Sequence, residues 1–212
     1  MNTYIITKTT DTTPLFAGQF NSFVECLETA VTQRVNLTSA NLANKNLSNA
    51  NIDDAIMPGA NLTNTNLTGT NLSESDLTGA NFTNASLYNT CLCYADLTNC
   101  NFAYTSFGAT DISGAILAQS RFSSMSCFTL DFIKTQNMQG CSFIHNDGST
   151  SKMSNPPIVI SGLDTRPTII MDDTITAAQS TIKHNDIRQI AKRAAEKITR
   201  TKYEHEKIKD NH

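Results

Sequence analysis

Residues 60–72 read Ala60-Asn61-Leu62-Thr63-Asn64-Thr65-Asn66-Leu67-Thr68-Gly69-Thr70-Asn71-Leu72, and the spacing of their leucines decides the fold. The same interval of five runs back through Met57, Ile52, Leu47, Leu42 and Leu37. It runs on through Leu77, Phe82, Leu87, Leu92, Leu97, Phe102, Phe107, Ile112, Leu117 and Phe122, lapses at Cys127 and returns at Phe132. Two residues before each apolar position stands a small one, such as Ala40, Ala50, Ala55, Ala60, Thr65, Thr70, Ser75, Ala80, Ala85, Thr90 and Ala95. A short fixed period of this kind marks a repeat architecture.

Neither regular element accommodates it. Five residues of α-helix advance about 500°, so successive leucines would spiral around the cylinder and leave no polar face. In a flat strand an odd offset sends them to opposite faces. The chain must therefore turn once per repeat, so that every Leu or Phe points at one axis. The small residue two positions earlier shares its strand face and points inward as well.

The repeats, written A-N-L-T-N at 60–64 and A-D-L-T-N at 95–99, resemble those of the pentapeptide-repeat family. The resemblance implies an all-β solenoid, a right-handed quadrilateral β-helix in which four pentapeptides make one coil. Columns twenty residues apart agree with it: Phe82, Phe102 and Phe122; Thr70, Thr90 and Thr110; Ala40, Ala60 and Ala80. Asn41, Asn61, Asn81 and Asn101 are then expected to form an amide ladder.

The flanks differ in character. Residues 1–34 read as an N-terminal cap, a hairpin with strands at Tyr4-Ile5-Ile6 and Leu15–Phe20 followed by a helix from about Ser22 to Gln33. Ser22 and Glu25 match a capping box, and Phe23, Leu27, Ala30 and Val31 share one face. This start resembles pentapeptide proteins of the phage and bacterial type. Residues 35–144 form the repeat domain. Lys45 occupies a small-residue position, where its charge is expected to escape at the open end or pair with Glu28. Asp53–Gly59 reads as a bulge or a divergent repeat. After Phe132 the phase slips by one, and Met125 and Leu130 suggest a widened last coil. Residues 145–157 read as a linker. Residues 158–212 form an extension with short strands at Ile158-Val159-Ile160 and Thr168–Met171. These strands either pair with each other or cap the rod. A basic amphipathic helix is expected from Asp186 to Lys209.

Charge is distributed unevenly. Residues 36–133 carry seven acids and two bases, whereas residues 134–212 carry nine acids and twelve bases; the whole chain has net charge −3. Six cysteines without a CxxC pair, no secretory leader and no apolar run long enough to cross a membrane point to the cytoplasm. No catalytic set emerges: the histidines lie outside the rod and are expected to be solvated, and neither a GxSxG elbow nor a phosphate-binding loop is present. The expectation is a protein that is not an enzyme and uses no cofactor or metal.

Function then rests on outward positions. Tyr88, Tyr94, Tyr104 and Phe128 are candidate protein contacts, or else pack beneath the tail. Asp54 with Glu74, Asp76 with Asp96, and Asp111 with Asp131 are expected to stack as candidate acidic surface. The stripe Ile187, Ile190 and Ile198 is a candidate self-association face for a homodimer, a dock onto the rod or a contact with acidic partners. Its bases are mixed with acids, which argues against direct nucleic-acid binding. The leading expectation is a protein-binding scaffold, a phage or prophage accessory protein engaging a bacterial host protein of unknown identity. The family resemblance implies an alternative, because its quinolone-resistance members imitate duplex DNA to occupy DNA gyrase. On that alternative the partner is a DNA-binding enzyme.

Overall fold

The structure, a computed structural model, describes residues 1–161, 166–177 and 180–183. The chain forms two compact units, Met1–Pro157 and a second beginning at Ile158. Unit one opens with strands β1 (Asn2–Thr7) and β2 (Pro14–Phe20), paired antiparallel, and helix α1 (Phe23–Thr32). Ser22 Oγ accepts from Glu25 N at the helix start, while Glu25 Oε2 reaches back to Asn21 N, one residue beyond the expected Ser22. The helix buries Cys26, Leu27 and Ala30; Phe23 and Val31, expected on the same face, are only half-buried.

From Asn41 onward, parallel bridges join residues twenty apart in four columns. Face 1 carries Asn41, Asn61, Asn81, Asn101 and Arg121; face 2 carries Asn46, Asn66, Ser86 and Ser106. Face 3 carries Asn51, Asn71, Cys91 and Asp111, and face 4 carries Ile56, Asp76, Asp96 and Ile116. Four columns at a repeat of twenty make a quadrilateral coil. Some rungs lengthen into strands: β3 (Ser86–Tyr88), β4 (Asn101–Phe102), β5 (Ser106–Gly108) and β6 (Arg121–Phe122). The backbone ladder is uniform, as in Leu62 N to Asn81 O at 2.8 Å and Asn61 N to Ala40 O at 2.9 Å. Most corners are turns of the kind Ala40 N to Leu37 O, and each from Ser39 to Gln119 holds its third residue at positive φ. Ile56, Met57 and Gly59 keep the ladder, so Asp53–Gly59 is a divergent repeat and not a bulge.

Every apolar residue of the series from Leu37 to Phe122 is buried, as are the small residues two positions before it apart from Lys45. Phe82, Phe102 and Phe122 stack with centroids 4.9 and 5.1 Å apart. The inward hydroxyls form a second ladder. Thr70 Oγ1 donates to Leu47 O, Thr90 to Leu67 O and Thr105 to Phe82 O, each at 2.7 Å, so every one binds the coil before it. Among the described residues no buried side-chain oxygen or nitrogen lacks a partner. The amide ladder is placed differently from the expectation. It joins Asn46 to Asn66 at 3.0 Å and Asn51 to Asn71 at 2.8 Å. In the column of Asn61, Asn81 and Asn101, the Oδ1 atoms instead accept the N–H two residues on, and Asn101 Nδ2 donates to Thr83 Oγ1. The turn bond does not by itself exclude the ladder, since Asn46 Oδ1 accepts from both Ser48 N and Asn66 Nδ2.

Both ends of the coil stack are covered by the chain. At the first coil, Asn41 N finds Thr7 O at 2.8 Å and Asn51 N finds Glu28 Oε1 at 2.8 Å, which replace the carbonyls of a preceding coil. Glu28 is thereby occupied, and of the two outcomes expected for Lys45 the escape at the open end holds: it is exposed, with its ammonium 4.6 Å above the Phe23 ring. At the other end the ladder offset grows from twenty to twenty-one, as in Ile116 with Asn137. The expected extra residue is absorbed by a 3-10 turn at Phe132–Lys134. A second 3-10 turn, Met125–Thr129, leaves Met125 exposed; only Leu130 of the pair points inward.

The stretch 145–157 is not a linker. Strand β7 (Ser142–Ile144) continues face 1, and β8 (Thr150–Lys152) folds back antiparallel on it around Gly148. Ser151 and Met153 are buried, and His145, expected to be solvated, bonds Ser151 Oγ through Nε2 at 2.6 Å. Its polar, Gly- and Ser-rich composition suits a tight hairpin as well as a linker, which is why composition misleads here. In the second unit, β9 (Ile158–Ile160), β10 (Thr168–Ile170), β11 (Thr174–Ala177) and β12 (Ser180–Lys183) form one antiparallel sheet in the order β12-β11-β10-β9. The two expected strands do pair, Val159 opposite Ile169.

The aromatic column yields a stability test. Phe102→Ala removes the middle ring of the stack and should cost about 3–5 kcal/mol, read as a lower urea midpoint. Phe102→Leu, which restores the commoner repeat residue, should cost about half as much or less. Equal losses would show that the stack itself, not the filled volume, holds the coil.

Candidate protein-contact surface

The corners dictate what the surface can present. The residue two after each inward Leu or Phe adopts positive φ, a conformation that Asn and Gly accept and bulky side chains disfavour. Most corners obey, with Asn44, Asn49, Gly59, Asn64, Gly69, Gly79, Asn84 and Asn99. Seven corners do not, namely Ser39, Asp54, Glu74, Tyr94, Tyr104, Ala109 and Gln119; the bulkiest are Tyr94 and Tyr104, at φ of 59° and 57° and 64% and 68% exposed. A non-glycine residue held there costs on the order of 1–3 kcal/mol. Tyr94 lies along the backbone of Gly114, the corner residue of the next coil, where a Cβ would collide with its ring. Tyr88 lies over Gly108 in the same way.

The corner of Tyr94 is also where the negative charge collects. Asp54, Glu74 and Tyr94 succeed one another at the junction of faces 3 and 4, twenty residues apart. Asp76 and Asp96 pair as neighbouring rungs of face 4, and Asp111 is the last bridged rung of face 3. Asp53 precedes the same corner. Residues 41–49, 61–69, 81–89 and 101–109, which build faces 1 and 2, contain no carboxylate. All seven acids of residues 36–133 therefore fall on one half of the rod or at its last turn, and its two bases, Lys45 and Arg121, on the other.

Individual acids are held by their own turns. Asp76 Oδ1 accepts from Thr78 N at 3.0 Å and Asp96 Oδ1 from Thr98 N at 2.9 Å. Asp111 accepts from both the hydroxyl and the N–H of Ser113, which keep its carboxyl below the usual carboxylate range and therefore charged. Asp54 meets Arg34 at 2.9 Å in an exposed ion pair of small energetic value. Asp131 does not extend the face-3 ladder under Asp111; it opens the 3-10 turn and pairs with Lys134 at 3.2 Å.

The candidate aromatics do not form one patch. Tyr94 stands at the corner of faces 3 and 4, and Tyr104 at the diagonally opposite corner of faces 1 and 2. Tyr88, 47% exposed, lies at the end of face 2 just before the corner at Asn89. Phe128, expected outward, is half-buried against Phe143 with centroids 5.0 Å apart, because the 3-10 turn draws it over the last coil. Ile187, Ile190 and Ile198 lie outside the described residues. Among the described residues no group of three or more His, Cys, Asp or Glu side chains is arranged to hold a metal, and no helix is long and apolar enough to cross a membrane.

A search of the curated proteins found no match to the chain. The family model for pentapeptide repeats matches residues 33–69, 60–99 and 94–124. Among solved structures, the chain is similar to the pentapeptide repeat protein Rfr23 of the cyanobacterium Cyanothece 51142, with 33% identity over 39% of this chain and 56% of that one, and a TM-score of 0.38. HetL of Nostoc sp. strain PCC 7120, a protein involved in heterocyst differentiation regulation, is 23% identical over 52% of this chain and 55% of that one, with a TM-score of 0.32. QnrB1, a plasmid-mediated fluoroquinolone resistance protein, is 17% identical over 52% and 65%, with a TM-score of 0.27. The chain spans less than two thirds of the length of each. The period of five, the four bridged columns and the matched family model agree that residues 33–124 are similar to pentapeptide repeats.

Proposed function

We propose that this protein is a non-enzymatic protein-binding scaffold whose contact surface is the acidic edge between faces 3 and 4, centred on Tyr94. The observation that carries this reading is the coincidence at one corner of a tyrosine in a disfavoured backbone conformation, largely exposed, with flanking carboxylates. An aromatic anchor ringed by like charge suits a basic protein surface: the ring supplies buried contact area, and the acids supply steering and specificity. A framework hydrogen-bonded on every face loses little conformational freedom on binding. We further infer a phage or bacterial protein that acts in the cytoplasm on a host protein. The hairpin–helix start supports the first part and the cysteine pattern the second.

The edge also supports a second reading, mimicry of DNA toward a DNA-binding enzyme such as gyrase. Coils about 4.8 Å apart place the seven acids along roughly 20–25 Å. That is about one carboxylate per 3–4 Å, close to the 3.4 Å phosphate spacing of a single strand of duplex DNA. The spacing favours a one-strand mimic on one side of the rod.

Two experiments separate these readings. For a protein captured by the tagged chain from bacterial lysate, Tyr94→Ala should weaken binding by roughly 10- to 30-fold. Tyr104→Ala, at the opposite corner, should change it by less than about twofold; the reverse ranking would move the contact to faces 1 and 2. Under mimicry, Asp76→Asn with Asp96→Asn should flatten the salt dependence of binding. Gyrase supercoiling left untouched by excess protein would remove gyrase as the target.

A further inference from the structure

Cys91 and Cys93 flank the inward Leu92, so their side chains leave the same side of face 3, immediately before Tyr94. Their sulfurs lie 2.7 Å apart and both residues are partly exposed, whereas Cys26, Cys100, Cys127 and Cys141 are buried. The backbone beneath the pair is fixed from both neighbouring coils. Cys91 N donates to Thr70 O at 3.0 Å and Leu92 N to Asp111 O at 2.8 Å; Cys91 O and Cys93 O accept from Leu72 N and Glu74 N. Neither thiol can leave its partner except by rotating its own side chain. Asp111, the rung that pairs with Cys91, places its carboxylate where it helps to raise the pKa of the Cys93 thiol.

We propose that Cys91 and Cys93 are an oxidisable dithiol that hydrogen peroxide converts to an intrastrand disulfide at the margin of the acidic edge. In the first step the Cys91 thiolate attacks one peroxide oxygen and the O–O bond breaks. Sulfur is oxidised to the sulfenic acid, and the departing hydroxide takes up a proton as water. In the second, Cys93 Sγ attacks the Cys91 sulfur and displaces the hydroxyl group. The Cys93 proton passes to that leaving group, which departs as a second water. Two thiols and one peroxide give one disulfide and two waters, with two electrons passing from sulfur to oxygen. The roles follow from the surroundings. Burial first, then the Cys91 thiol and the Asp111 carboxylate, push the Cys93 thiol up to about 12, so Cys93 is the second thiol to react and gives up its proton as it attacks. Closure removes both S–H groups beside Asp111 and Tyr94, so the site reports peroxide to the surface that carries Tyr94.

The test uses the full reduced chain, exposed to graded hydrogen peroxide, denatured and alkylated with N-ethylmaleimide. The expected product carries four alkylated thiols in place of six, with a loss of about 2 Da placed by fragmentation between residues 91 and 93. Dithiothreitol should return all six. Cys91→Ser or Cys93→Ser should abolish this product and Cys100→Ser should leave it. Far-UV circular dichroism checks that each variant is folded, and Cys91→Ala and Cys93→Ala stand in if a serine variant is not. Six alkylated thiols at a peroxide dose that oxidises free dithiothreitol would overturn the proposal. Arrest of Cys91 as a sulfinic acid, or pairing of either cysteine with a third cysteine or a second chain, would overturn it equally.

Discussion

Every coil depends on a corner that falls at each fifth residue and holds positive φ. The corner turns the strand through one side of the quadrilateral. It thereby brings residues twenty apart into register and points each Leu or Phe at the common axis. Without it the leucines would spiral or alternate, and no face could bury them. Once the corners are set, the ladder follows, and the same constraint dictates which side chains are affordable: Asn or Gly at the corner, Asn or Asp before the inward residue to cap the turn, Ala, Ser or Thr inside.

That constraint explains what the sequence makes legible. Leu37 to Phe122 identify the axis, and Phe82, Phe102 and Phe122 identify the twenty-residue coil before any coordinate is known. The inward Thr and Ser are legible only as small residues. Their bonds to carbonyls of the preceding coil, such as Thr90 to Leu67, appear once the register is drawn. The ends are harder because they break the period. Met125, Phe128 and Asp131 follow a 3-10 path that a five-residue template cannot anticipate, and 145–157 conceals a strand within turn-rich composition. Lys45 shows competition among partners: Glu28 satisfies an open backbone N–H at the first coil, and the ammonium takes the neighbouring ring.

The candidate surface was half legible. Pairs such as Asp76 with Asp96 follow from an offset of twenty, but the segregation of charge follows only when every acid is assigned to one of four faces. The same assignment separates Tyr94 from Tyr104, ten residues apart in sequence and therefore half a coil apart in space. An offset of ten places residues on opposite corners, whereas an offset of twenty stacks them. A list of outward aromatics has no such information until the coil is closed.

A ladder that fixes the backbone on four sides leaves outward side chains nearly free of folding duties, so their placement can differ from face to face without cost to the core. Faces 1 and 2 carry no carboxylate but hold Lys45, Arg121, Tyr88 and Tyr104, and faces 3 and 4 carry the carboxylates, Tyr94 and the Cys91–Cys93 pair. Stability gives no reason to confine the acids to one half. Carboxylates gathered there repel one another more than the same seven spread around the rod. Nor does stability favour Tyr over Asn at a positive-φ corner. Tyr104 makes the second departure alone at the opposite corner; at the edge of Tyr94 both departures meet, which is better explained by a demand made on that edge from outside the molecule.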